Sequence, residues 1–170
     1  MPAHADNINV RDASPADAEA MAWIYNQGIE ERTATFETRS RTAADLLGWF
    51  GGAYPVVVVE DATGVVAFAV AFPYSPRECY SGVAEFSVYT ARESRGRGAG
   101  SLAMETLIQR AQETGFWKLS SRVFVENKTS LRLLHKLGFR EVGVFEKHGK
   151  LDGVWRDVAI VERLIEANLD

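Results

Sequence analysis

Arg95-Gly96-Arg97-Gly98-Ala99-Gly100 stands between a β-branched run ending near Thr90 and a strongly periodic helical stretch beginning at Gly98. The first turn of a helix leaves backbone N–H groups without partners, and the helix dipole adds partial positive charge there. Glycines remove the Cβ atoms that would keep a phosphate from those donors. The hexapeptide is thus, in physical terms, a cradle for a pyrophosphate. Two better-known cradles fail on spacing. A G-x-G-x-x-G dinucleotide fingerprint would need its third glycine at position 101, which is Ser101. A P-loop would need a lysine before that serine, where Gly100 stands.

Working outward, Met104, Leu107, Ile108 and Ala111 share one face of the helix that follows, and Gly115 is placed to end it. Before the cradle, a strand is predicted from about Gly82 to Thr90. Pro55–Asp61 and Val65–Tyr74, joined by Ala62-Thr63-Gly64, read as an antiparallel hairpin. Ile8–Asp12 is a short first strand. Ser14-Pro15 then signals a helix start, and Ala18, Met21, Ala22, Tyr25 and Ile29 keep helical spacing to about Glu30. A second short helix is expected from Thr42 to near Gly51. After the cradle helix come a strand at Lys118–Phe124, a helix at Asn127–Leu137 closed by Gly138, and strands at Val142–Glu146 and Trp155–Leu164. The order β-α-α-β-β-β-α-β-α-β-β gives a mixed α/β (α+β) fold of seven strands and four helices around one sheet.

Composition agrees with one globular domain spanning residues 1–170: 46% hydrophobic and 25% charged residues exclude a disordered or collagen-like chain. The apolar runs Tyr54–Val59 and Val65–Phe72 are far shorter than the ~20 residues of a membrane span. Met1-Pro2-Ala3-His4-Ala5-Asp6 shows no basic-then-apolar leader pattern, so the cytoplasm is expected. One cysteine, Cys79, excludes an internal disulfide framework and a cysteine-based zinc site, and no metal is expected. A net charge of −4 argues against nucleic-acid binding by bulk charge, although Arg92, Arg95 and Arg97 crowd together beside the glycines.

The pattern R-x-x-G-x-G at Arg95, Gly98 and Gly100 resembles motif A of the Gcn5-related N-acetyltransferases. Glu85-Phe86-Ser87-Val88-Tyr89-Thr90 looks like that family's fourth strand, and Asn127…Ser130…Leu137-Gly138-Phe139 like its motif B helix and exit. The resemblance implies that the fourth and fifth strands splay apart to admit acetyl-CoA. Val88, Tyr89 and Thr90 would pair through their backbone with the pantetheine arm, as an added strand would. Arg95, Gly96, Arg97, Gly98, Ala99, Gly100 and Ser101 would wrap the pyrophosphate, and Asn127 and Ser130 would contact the cofactor from motif B. Asn127 fits a helix cap equally well, and the two roles are compatible.

A narrower resemblance covers most of the chain. Thr33–Thr38, Pro73-Tyr74, Arg77, Tyr80, Glu85 and the Gly153…Trp155…Asp157 ending are similar to the phosphinothricin N-acetyltransferases. Tyr25–Glu30, Glu85–Tyr89 and His148–Gly153 are similar to their arsinothricin-acetylating relatives. This implies acetylation of the α-amino group of a small glutamate-like amino acid, with methionine sulfone and sulfoximine in the same class, and a homodimer. Such an acceptor carries a carboxylate and a second anion, and the Arg77 guanidinium suits bidentate oxyanion binding. Phe36 and Tyr80 fit either as walls of a side-chain slot or as plain packing aromatics. Glu85 is the candidate general base, because an α-ammonium must lose a proton before it can attack a thioester. A backbone N–H near Val88–Tyr89 is the family's oxyanion donor.

One position departs from the pattern. Relatives place a tyrosine or histidine acid four residues before the motif B glycine, where this chain has Leu134. His135 is one step along, about 100° around the helix, and is expected to face elsewhere. Two other readings stand beside the amino-acid acetyltransferase. A protein N-terminal or lysine acetyltransferase would need an open groove, and a non-catalytic acyl-CoA-binding module would fit a lost base or a degraded cradle. Trp23, Trp49 and Trp117 are candidate interface aromatics.

Overall fold

Two neighbouring strands of the sheet are buried on both faces. In the computed structural model, which describes residues 7–170, these are β2 (Val56–Asp61) and β3 (Gly64–Pro73). Along β3, Phe68 and Val70 enter one apolar cluster while Ala67, Ala69 and Ala71 enter the other, the period-two alternation of a pleated strand. Val56 and Val58 of β2 join the first cluster and Val57 and Val59 the second. The remaining strands are β1 (Asn9–Asp12), β4 (Val83–Thr90), β5 (Lys118–Phe124), β6 (Arg140–Leu151) and β7 (Val154–Leu164). They form a seven-stranded mixed sheet in the order β1-β2-β3-β4-β5-β7-β6. Every pairing is antiparallel except that of β4 with β5.

Four α-helices are present among the described residues: α1 (Ala18–Glu31), α2 (Ala43–Leu46), α3 (Ala99–Thr114) and α4 (Lys128–Lys136). Ala18, Met21 and Ile24 of α1 and Leu46 of α2 complete the first cluster. Ala99, Ala103, Met104, Leu107 and Ala111 of α3 and Leu134 of α4 complete the second. Small residues on both β3 and α3 let that helix lie close to the sheet. Gly115 ends α3 at φ +98°, and Gly138 follows α4 at φ +88°, the left-handed stops the sequence predicts.

Three expectations need correction. The helix expected from Thr42 to Gly51 is one α-helical turn capped by Thr42 and then a 3₁₀ turn over Leu47–Trp49, since Gly48 offers no side chain to pack. The strand expected at Val142–Glu146 is twelve residues long. It turns into β7 through Asp152 and Gly153, both at positive φ, a two-residue hairpin signal. A bulge between Phe145 and Gly149, with Lys147 at φ +47°, breaks its alternation and hides its length from a periodicity reading. Ser14-Pro15 opens a 3₁₀ turn that leads into α1 rather than the helix itself. Met1–Asp6, the stretch inspected for a leader pattern, lies outside the described residues. No helix among the described residues is long and apolar enough to cross a membrane.

Candidate active site

The site begins where the sheet opens. β4 and β5 pair only from Val83 with Lys118 to Glu85 with Ser120. Beyond that point β4 continues to Thr90 and β5 to Phe124 without touching each other's backbone ladder. Ser121 Oγ donates to the Phe86 carbonyl at 2.9 Å, closing the base of the fork. A cleft of about 710 Å³ fills the opening. Val88, Tyr89 and Thr90 line one wall, Asn127 and Ser130 the facing wall, and Gly96, Gly98, Ala99, Gly100 and Ser101 its far end. The Asn127 Oδ1 accepts the Ser130 N–H at 3.2 Å and caps α4.

Gly98 is the N-cap of α3 at φ +84°, and Gly96 has φ +77°, a region that L side chains enter at a cost. A Cβ on either would meet nothing within 4 Å, so these glycines serve backbone conformation and an open approach to the helix terminus. Gly100 is different. A Cβ there would lie 3.1 Å from Thr90 Oγ1 and 3.3 Å from a Leu133 methyl, so it allows α3 to close on β4 and α4.

The arginines beside the glycines are held by carboxylates. Arg95 Nη1 donates to Glu31 at 2.8 Å and its Nε to the Thr90 carbonyl at 3.3 Å. Arg92 Nε reaches the other Glu31 oxygen at 2.9 Å, and its backbone N–H donates to Gln27. The Arg95 hydrogen bond, followed by that of Arg92, holds the Glu31 carboxyl below the usual glutamate range against the opposing effect of burial. Arg95 also lines the cleft, whereas Arg97 does not; its guanidinium lies 3.5 Å from Asp61 and 3.4 Å from Ser94 Oγ.

The Tyr89 ring packs edge-on to Tyr25 at 4.9 Å and against Phe68. Burial pushes its hydroxyl well above the ordinary tyrosine value, so it stays neutral. A Cβ on Gly28 of α1 would come within 2.8 Å of that ring.

Glu85 is the last paired residue of β4 before the fork and lines a second cavity of about 420 Å³ with Tyr74 and Tyr80. Its carboxylate is 37% exposed and lies 4.0 Å from Arg122 Nη2. Arg77 is exposed on the turn before β4, with its guanidinium 5.7 Å from the Tyr80 ring centre. The structure therefore gathers Glu85 and Tyr80 in one cavity, with Arg77 beside the Tyr80 ring. Phe36 is not among the residues lining that cavity. It packs edge-to-face on Phe124 at 4.7 Å and against Gly149, while Arg32 bridges to Asp152 at 3.1 Å. These contacts fasten the segment after α1 to the β6–β7 hairpin.

Leu134 is buried and lines a 50 Å³ gap in the fork; His135 faces a groove on the other flank of α4. Trp49 packs on Tyr25 and Phe72, and the Trp117 ring covers Gly82, so both are used inside the chain, while Trp23 is exposed. Among the described residues, no group of three or more His, Cys, Asp and Glu is placed to hold a metal ion. The sequence reading missed Gly28, Glu31, Ala34 and Arg122 as site-lining residues. Gly28, a glycine inside an amphipathic helix, carried the one local signal among them.

Residues 20–139 match the family model described as "Acetyltransferase (GNAT) family". An L-methionine sulfoximine/L-methionine sulfone acetyltransferase of Pseudomonas aeruginosa is 30% identical, over 92% of this chain and 94% of its own. A phosphinothricin acetyltransferase of Sinorhizobium meliloti, solved in complex with acetyl-CoA, superposes with a TM-score of 0.86 at 29% identity, covering 92% of this chain and 88% of that one. A ribosomal-protein-alanine N-acetyltransferase of Brucella melitensis superposes with a TM-score of 0.88 at 28% identity, over 92% and 99%.

Proposed function

The chain belongs to the acetyltransferase (GNAT) family, and from that premise we propose that it transfers acetyl from acetyl-CoA directly to the α-amino group of a small glutamate-like amino acid. One observation carries the reading: Glu85 stands at the fork, where the cleft between β4 and β5 ends and the second cavity begins. A thioester laid along the cleft and an amine held in the cavity would meet beside its carboxylate.

The residues present fit acetyl-CoA as substrate. The α3 N-terminus and the open space over Gly96 and Gly98 suit its pyrophosphate, with Ala99, Gly100 and Ser101 completing the cradle. The β4 edge at Val88, Tyr89 and Thr90 offers backbone partners to the pantetheine amides, and Asn127 and Ser130 face it from α4. Arg95 shapes the cradle through Glu31.

Glu85 accepts a proton from the acceptor ammonium, directly or through water, and the freed amine attacks the thioester carbonyl. A backbone N–H near Val88–Tyr89 steadies the oxyanion, the nitrogen of the tetrahedral adduct gives its second proton to solvent, the carbon–sulfur bond breaks, and the CoA thiolate leaves. With Leu134 at the position of the usual acid, solvent protonates the thiolate. Arg77 and Tyr80 at the cavity rim take the distal anion of the acceptor.

The likeness to a ribosomal-protein-alanine acetyltransferase favours a second reading, acetylation of a protein N-terminus. Thiol release from acetyl-CoA, measured over phosphinothricin, methionine sulfone, common amino acids and alanine-initiated peptides, separates the two. Turnover with the free amino acids and none with peptides is the expected result; the reverse pattern would overturn it.

A further inference from the structure

We infer that Arg122 of β5 binds the α-carboxylate of the acceptor, beside the amine that Glu85 deprotonates; this assignment rests on the acetyl-transfer reading above. Arg122 belongs to no motif. It lies two residues beyond Ser120, the last β5 partner of β4, and so on the same face of the strand as Ser120 and its neighbour Glu85. The pairing of β4 with β5 has already ended there, and the Arg122 side chain is 56% exposed. Arg122 lines both the narrow gap in the fork, with Val88 and Leu134, and the cavity of Glu85 and Tyr80. It therefore stands at the junction that the reacting amine must occupy.

Lys118, the other cation that lines that cavity among the described residues, is already engaged. Lys118 is held by Glu162 at 2.8 Å, and Arg140 pairs with the same carboxylate. Arg77 lies over the Tyr80 ring outside the lining. Among the described residues Arg122 has only the 4.0 Å approach to Glu85, a long and solvent-screened contact that an incoming carboxylate can displace. An α-amino acid carries its carboxylate one carbon from its amine, so a guanidinium beside the base would fix both groups at once. The two anions of a glutamate-like acceptor then divide between Arg122 at the fork and Arg77 at the rim.

The test is steady-state kinetics of wild type, Arg122→Gln and Arg122→Lys, each checked for folding by thermal melt. The acceptors are methionine sulfone and phosphinothricin, each paired with its α-carboxamide. Arg122→Gln is expected to raise KM for the carboxylates by roughly tenfold or more while changing KM for the carboxamides far less, as loss of a charge-assisted hydrogen bond would. Arg122→Lys should recover part of the carboxylate loss. Equal losses on acid and amide, or a loss confined to kcat, would overturn the assignment. Wild type that transfers acetyl to no amine at all would instead overturn the acetyl-transfer reading beneath it.

Discussion

Arg95, the first residue of the glycine-rich motif, donates at 2.8 Å to Glu31 at the end of α1. The same carboxylate takes Arg92 at 2.9 Å, so one acidic group ties the loop before α3 to the opposite layer of the fold. The motif arginine in this arrangement is a tether. Glu31→Gln and Arg95→Gln should therefore weaken acetyl-CoA binding by similar amounts, with a coupling of about 0.5–1 kcal/mol in a double-mutant cycle. Calorimetric titration of the four proteins checks this. Full affinity in Glu31→Gln with none in Arg95→Gln would make Arg95 a direct phosphate ligand.

Gly98 holds φ +84° in open space, so a methyl there clashes with nothing and strains only the backbone. Gly98→Ala is expected to stay folded, losing about 1–2 kcal/mol of stability. Acetyl-CoA affinity should fall further than stability does, by about tenfold or more, because the N–H groups of the cradle lose their aim. A folded variant with unchanged affinity would show that the cradle does not hold the cofactor.

Asp17 makes a two-pronged pair with Arg11, both contacts at 2.9 Å, and accepts the Ser14 N–H at 2.8 Å. The Arg11 hydrogen bond is the main reason its carboxyl is held below the usual aspartate range. A depressed folded value means that this stabilisation is complete above about pH 4 and is lost as pH falls through the folded value. Asp17→Asn should cost about 1.5–3 kcal/mol at neutral pH. Urea midpoints of the two proteins should converge under acid; a gap that persists would contradict the assignment.

The glycine turn at the head of α3 was legible because Gly98 and Gly100 act within one helical turn of each other, where spacing alone carries the meaning. Glu85 could be placed for the same reason, lying on a predicted strand at a fixed distance before the cradle. Its neighbourhood could not. Glu31 and Arg95 are 64 residues apart, and nothing local in either marks the pairing. Arg122 sits in an ordinary alternating strand, and its place at the fork follows only from where β4 stops pairing with β5. Phe36 fits a slot wall or a packing aromatic by sequence alone, and its contacts with Phe124 and Gly149 come from segments distant in sequence. The length of β6 was hidden by its bulge, although Asp152-Gly153 announced the turn that fixes it.

The central claim is that Glu85 is the base at the fork, and Glu85→Gln tests it most directly, since the amide keeps shape and hydrogen bonding but accepts no proton. Folding and acetyl-CoA affinity should survive, while kcat at neutral pH falls by about 10²–10⁴-fold. As pH rises past the pKa of the acceptor amine, free base accumulates without help and the variant should recover a large part of the deficit. Measurement of kcat against pH for wild type and variant on the same acceptor decides the matter. A variant within about twofold of wild type at neutral pH, against the larger loss expected of a base, would leave Glu85 a strand surface residue. A large deficit that stays constant to high pH would make it a group that positions the acceptor.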